Sequence, residues 1–205
     1  MLTGTFTSVG KGRLEAFSDA VIAILITIMV LELRPPESAE WSSLEPVVPV
    51  FLTYVLSFIY LAIYWNNHHH LLQATTRVTG GILWANFNLL FWLSLFPFTT
   101  GWMGLNHFEP IPTAVYGGVL MMAAIAFYIL LVVIVRAQGE VSEIASALGG
   151  NLKGKISPAI YAVGILLAFI QPWVSVALYV LVAGMWLVPD RKLESMLNSQ
   201  IDDTR

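Results

Sequence analysis

The chain has no cysteine among its 205 residues, which excludes disulfide frameworks, thiolate catalysis and Cys-based metal sites. Charge is also scarce. Asp, Glu, Lys and Arg together make 11% of the chain, against roughly 25% in a soluble domain. A formal net charge of -3 leaves no electrostatic footprint for nucleic acid, and no basic stripe or RNA- or DNA-binding motif is present. HExxH, GxSxG and phosphate-cradling glycine loops are missing. So is any internal repeat. A signal peptide is not expected either, because the apolar run after Lys11 and Arg13 ends without a small-residue cleavage site and further runs follow.

What fills the chain is apolar surface. Hydrophobic residues make 57% of it and the mean hydropathy is +0.75. A small water-soluble globule buries only a limited fraction of its surface, so a bilayer is the solvent that suits this composition. Seven Trp and seven Tyr fit the same reading, since both favour membrane interfaces. Six apolar runs are expected to span: Phe17–Leu33, Pro49–Asn66, Gly81–Phe98, Thr113–Val135, Ile156–Ile170 and Trp173–Val188. Pro35 and Pro36 stop the first run, and Pro97 closes the third. The last two are shorter than the roughly 20 residues that cross a bilayer squarely. A re-entrant hairpin is the alternative there, and two thin complete spans are preferred. The 139–154 stretch reads as a short surface helix and loop.

Continuous runs, rather than short alternating segments, select helices over a barrel. The fold class is therefore all-α, one polytopic six-helix membrane domain over residues 1–205. With the N-terminus in the cytoplasm, Lys11, Arg13, Arg77, Arg136, Lys153, Lys155, Arg191, Lys192 and Arg205 lie inside and only Arg34 outside. This positive-inside pattern requires an even number of spans, with both termini cytoplasmic in a cell membrane.

The first run carries the densest signal. On a helical wheel, Ala20, Thr27, Ile28 and Leu31 fall within about 60° of Ile24, with Phe17 near the inner end and Arg13 a turn below. Ser18 and Asp19 point off this stripe by about 120–140°. The stripe has two readings, a lipid- or bundle-facing side and a functional lining. Asp19 at the mouth of an apolar helix needs a partner, and Arg13 or a histidine is the expected one. His68, His69 and His70 sit at the same end of the second run. Adjacent residues lie about 100° apart and do not converge on a metal, so one histidine is expected on Asp19 or Ser18. Asn86 and Asn88 read as helix-clasping amides, with Asn86 near enough to join that cluster. Trp65 and Trp84 read as interface anchors.

The segment RLEAFSDAVIAIxxTxMxLEL at 13–33 resembles the first helix of bacterial and archaeal TMEM175-like (DUF1211) potassium channels. The YWxxHHxL segment at Tyr64–Leu71 and the Asn86 and Leu95-Phe96-Pro97-Phe98 segment extend the likeness. The last three runs match only in hydropathy and length. The resemblance implies a homotetramer whose four first helices line a central pore, without a TVGYG filter loop. It implies a gate of apolar rings at Ile24, Ile28 and Leu31, and a selectivity layer at Thr27. It also implies a structural polar cluster of Arg13, Phe17, Ser18, Asp19, Trp65, His68 and Asn86. No cofactor and no metal are implied beyond transient K+ near Thr27; the partners are further copies of the chain, membrane lipid and potassium ions. His70 departs from the family pattern, which has Arg there.

The function so implied is passive, modestly potassium-selective conduction through a hydrophobic constriction, not catalysis. Glu32, Glu37 and Glu40 would enrich cations at the outer mouth, or be ordinary loop charges. The alternative is a proton-coupled secondary transporter using Asp19 and His68, though inverted repeats and a broken first helix are lacking. A membrane enzyme and a non-transporting scaffold are more distant readings.

Overall fold

The computed structural model describes residues 10–138 and 152–187. The described residues form helices only. Helix α1 (Lys11–Met29) tightens into a 3₁₀ turn at Val30–Glu32, and the chain leaves the helical region at Leu33, two residues before Pro35. A 3₁₀ segment, Trp41–Val47, leads into α2 (Val48–Gln73), which accepts Pro49 in its first turn, where no helical N–H is needed. Then come α3 (Gly80–Ser94), α4 (Phe96–Leu105), α5 (Pro110–Gln138), α6 (Leu152–Leu167) and α7 (Pro172–Leu187). The surface helix and loop expected at 139–154 lie outside the described residues, apart from Leu152–Gly154, which open α6.

Among the described residues, four stretches are long and apolar enough to cross a membrane: Lys11–Glu32, Trp41–Gln73, Gly80–Leu105 and Pro110–Gln138. The third differs from its predicted bounds. Pro97 was expected to end it near Phe98, yet the helix restarts at Phe96 and runs to Leu105. Proline removes a helical hydrogen bond and crowds the carbonyl four residues back, so the helix breaks at Leu95. In the first turn of α4 the same ring is tolerated. Hydroxyls bond carbonyls on both sides of the break. Thr99 Oγ1 donates to the Leu95 and Phe96 carbonyls at 3.0 and 3.3 Å, and Ser94 Oγ donates to the Phe91 carbonyl at 2.7 Å.

The next turn is sharper than predicted. His107 and Phe108 take left-handed φ values of 48° and 61°, and α5 starts at Pro110, three residues before the expected Thr113. Helices α6 and α7 have 16 residues each, or about 24 Å of rise, shorter than a hydrocarbon core of about 30 Å. Their connecting turn lies near the α4–α5 turn, where the Phe108 and Trp173 rings stand 4.5 Å apart.

Lipid chains are as apolar as leucine, so close packing and interhelical hydrogen bonds hold such a bundle together. The core shows both. Tyr60, Tyr116, Tyr161 and Tyr179 are all buried. Tyr161 donates to the Tyr60 hydroxyl at 3.2 Å, and Tyr60 donates to the Tyr179 carbonyl at 2.5 Å. Ser57 joins α2 to α4 and α5 through Thr100 at 2.6 Å and Tyr116 at 2.9 Å.

Gly104 lets α4 approach α2 closely. A Cβ there would lie 2.6 Å from Thr53 Oγ1 and 2.7 Å from Val50 Cα, and backbone does not yield as a side-chain tip does. Gly104→Ala is expected to cost about 1–3 kcal/mol. A lowered thermal midpoint of the purified protein checks it; an unchanged midpoint would mean that the two helices slide apart freely.

Candidate functional site

Helix α1 is sorted by side. Leu14, Ser18, Ile22, Leu25 and Met29 are buried against the bundle. The helix rests chiefly on α2, α3 and α4. The opposite side is bare in the single chain. Ile24 is 54% exposed, Ile28 41% and Leu31 75%, and Ala20 and Thr27 are exposed with them. The bare side is the stripe that the wheel gathers. Thr27 is tied down within it, since its hydroxyl donates to the carbonyls of Ala23 at 3.1 Å and Ile24 at 2.9 Å. Its proton is thereby spent on the helix, and the oxygen lone pairs remain available as acceptors.

A polar clasp holds the buried side. Asn86 of α3 donates through Nδ2 to Ser18 Oγ at 2.9 Å, and its Oδ1 lies 2.7 Å from His68 Nε2. Ser18 passes its own proton to the Leu14 carbonyl at 2.9 Å. Ser18, His68 and Asn86 are all fully buried, so one amide joins three helices. Beside them, the Trp65 indole N–H donates to Asp19 Oδ1 at 3.0 Å. Phe17 meets Phe87 of α3 edge to face at 5.7 Å. Interhelical hydrogen bonds of this kind contribute on the order of 1 kcal/mol each in membranes.

Two expectations need correction. The partner of Asp19 is an indole, neither Arg13 nor a histidine, and His68 reaches Ser18 only through Asn86. Arg13 does not join the cluster. It is exposed, and its side chain makes no hydrogen bond or ion pair among the described residues. Its position on the helix explains this. Six residues before Asp19, it sits about 120° around the axis, on the stripe's side, where the guanidinium stays hydrated instead of bearing a desolvation cost. Lys11 takes the pairing role, with Glu15 at 3.8 Å and the Gln73 carbonyl at 2.6 Å. That contact ties the start of α1 to the end of α2, and only the i,i+4 spacing of Lys11 and Glu15 hinted at it.

The histidine run diverges, as its spacing requires. His69 stacks on Trp65 with centroids 5.6 Å apart, and His70 meets His69 edge-on. His68 Nδ1 and His70 Nδ1 are buried without partners. Among the described residues no three His, Cys, Asp or Glu side chains gather as a metal site. Asn88 is not part of the clasp, and Trp84 is exposed. At the far end of α1, the Glu32 carboxylate packs over Gly101 of α4, where a Cβ would come within 3.0 Å of Oε2.

Comparison with known proteins decides the family. The model of the endosomal/lysosomal potassium channel TMEM175 matches residues 13–97, the stretch that holds α1, the clasp and the α3–α4 break. A potassium channel of Chryseobacterium sp. (strain P1-3) is 54% identical over 187 residues, covering 91% of this chain and 97% of the relative. The chain belongs to the TMEM175 family. A potassium channel of Chamaesiphon minutus is 30% identical over 80% of this chain and 87% of its own. The crystal structure of a lysosomal potassium-selective channel TMEM175 homolog from Chamaesiphon minutus superposes with a TM-score of 0.71 at 28% identity. It covers 86% of this chain and 96% of that one. The potassium channel MtTMEM175, at 17% identity and a TM-score of 0.59, shows the shared fold. As a TMEM175-family chain, the protein is an all-α polytopic membrane protein.

Proposed function

We infer that the protein is a potassium channel, a passive conduit and not an enzyme, in which four copies set their α1 stripes around one central pore. The observation that carries this is the bare α1 stripe itself. A helix that leaves Ile24, Thr27, Ile28 and Leu31 uncovered, yet is clasped firmly on its other side, is built to present that stripe to copies of itself. In this arrangement Ile24, Ile28 and Leu31 form apolar rings, and Ile24 is the constriction that bars ions by dewetting. Thr27 supplies the selectivity layer, its outward lone pairs replacing part of the hydration shell of a passing K+. Dehydration is less costly for K+ than for Na+, so the preference is real but modest. Both termini face the cytoplasm, α6 and α7 complete six spans, and Arg13 stands at the inner end of the stripe, within reach of a neighbouring copy.

The proton-coupled transporter reading fares worse. Asp19 and His68 are each bound to a different partner and share no hydrogen bond. Among the described residues, the break between α3 and α4 spans Leu95 alone, with Ser94 and Thr99 hydroxyls donating to nearby carbonyls, unlike the unwound stretches at which transporters coordinate ions.

Reversal potentials of reconstituted protein under opposed potassium and sodium gradients test the function. The parent is expected to reverse toward the potassium potential. Thr27→Val keeps the shape and removes the oxygen, and should bring the K+/Na+ permeability ratio close to unity. An unchanged ratio would remove Thr27 from the selectivity layer; a parent without potassium current would remove the channel reading.

A further inference from the structure

We propose that the cavity between α2, α5, α6 and α7 binds a small neutral amphiphile, and that its occupancy reaches α1 through α2. The ligand class is an apolar body of about four to six heavy atoms with one hydroxyl or carbonyl group. The second half rests on the channel reading; the first does not.

The cavity measures ≈ 50 Å³, and one water occupies about 10–15 Å³ as a probe sphere. Space for several waters is therefore present, but their partners are not. Tyr60 donates to the Tyr179 carbonyl, and Tyr161 donates to the Tyr60 hydroxyl. Trp186 Nε1 donates to Ser157 Oγ at 3.0 Å, and Ser157 donates to the Lys153 carbonyl at 2.7 Å. Asn67 spends its Nδ2 on the Ile63 carbonyl at 2.8 Å. Among the described residues, the Tyr64 hydroxyl and Asn67 Oδ1 stay free within the cavity and the Tyr128 hydroxyl at its mouth. Each buried water asks for about two to four hydrogen bonds, so these three groups do not support a cluster of several waters. They suit a ligand with one polar end against aromatic walls, the usual make-up of a small-molecule site. Tyr128, 51% exposed on α5, puts the mouth on the outer flank of the subunit.

The coupling follows from which helices are shared. The cavity is walled by α2, α5, α6 and α7, and α1 rests chiefly on α2, α3 and α4. Helix α2 is common to both sets. Tyr60, Ile63, Tyr64 and Asn67 line the cavity on one face, and Trp65 and His68 hold the clasp about a third of a turn away. A ligand that presses on the first face displaces the second, and with it the seating of α1.

The probe is 2-bromoethanol, with four heavy atoms and one hydroxyl, applied to the whole channel. Crystals soaked in it are expected to show a bromine anomalous peak within the cavity. Potassium flux from liposomes should change at least twofold in the same concentration range. Tyr64→Phe keeps the ring and should weaken the apparent affinity about threefold to tenfold, the loss of one hydrogen bond. Ala124→Phe fills the space and should abolish both peak and response. No peak in the parent, or a peak that survives Ala124→Phe, overturns the site. A peak with unaltered flux overturns the coupling. A parent that conducts no potassium at all contradicts the channel reading instead, and leaves the crystallographic readout standing.

Discussion

Ile24→Asn is expected to raise potassium flux through the reconstituted protein by about tenfold or more, by wetting the constriction that the proposed pore forms from four isoleucines. The side chain is half exposed in the single subunit, so the exchange disturbs no intrasubunit core. Isoleucine and asparagine differ little in length, which leaves polarity as the main change. An amide holds water where a branched alkyl group expels it, and the barrier to a hydrated ion falls with the cost of filling the neck. Single-channel recording and liposome flux both read this. Ile28→Asn and Leu31→Asn should raise flux less, because in the proposed pore their rings are wider than the Ile24 constriction and wet more readily to begin with. Equal flux from Ile24→Asn and the parent would mean that the constriction lies elsewhere.

Asn86→Ala should be the most damaging single change to the seating of α1. It deletes two interhelical hydrogen bonds at once and leaves a fully buried His68 Nε2 unmet beside an Nδ1 that already lacks a partner. Orphaned buried polar groups cost about 1–3 kcal/mol each, so a total of about 2–4 kcal/mol is expected. It would be read as a lower thermal midpoint and loss of assembled protein on gel filtration. Asp19→Ala frees only a part-exposed Trp65 indole and should cost less. If Asn86→Ala kept the parent's midpoint and assembly, packing alone would be holding α1.

The stripe was legible in the sequence because it lies on α1 alone, where a 100° step per residue sorts side chains without knowledge of the neighbours. The α1, α2 and α3 members of the clasp, Ser18, Asp19, His68 and Asn86, stood out because polar groups are rare in apolar helices and must be satisfied, whereas Trp65 read as an interface anchor and joined them only through the family resemblance. The pairing among them was not legible. Charge matching favoured Arg13 or a histidine for Asp19, but an indole N–H meets a carboxylate without bringing a second charge out of water.

Pro97 misled for a related reason. A proline both ends one helix and suits the first turn of the next, and the choice depends on whether a largely uncharged, apolar-rich run continues, as it does from Phe98 to Leu105. The tyrosine core was invisible in the sequence. Its bonds join residues 101 and 119 positions apart, and no periodicity within one helix reports such contacts. The cavity beside it is likewise a product of tertiary packing.

The absence of cysteine from the whole chain makes the decisive measurement direct. A lone cysteine introduced by Ile24→Cys, in protein assembled in liposomes and oxidised mildly, is expected to yield covalent dimers. The same cysteine, left reduced, should let thiol-reactive silver ions stop potassium flux. A lone cysteine that stays monomeric on oxidation and is reached only by membrane-dissolved reagents, with flux undisturbed, would place Ile24 against lipid and contradict the shared central pore.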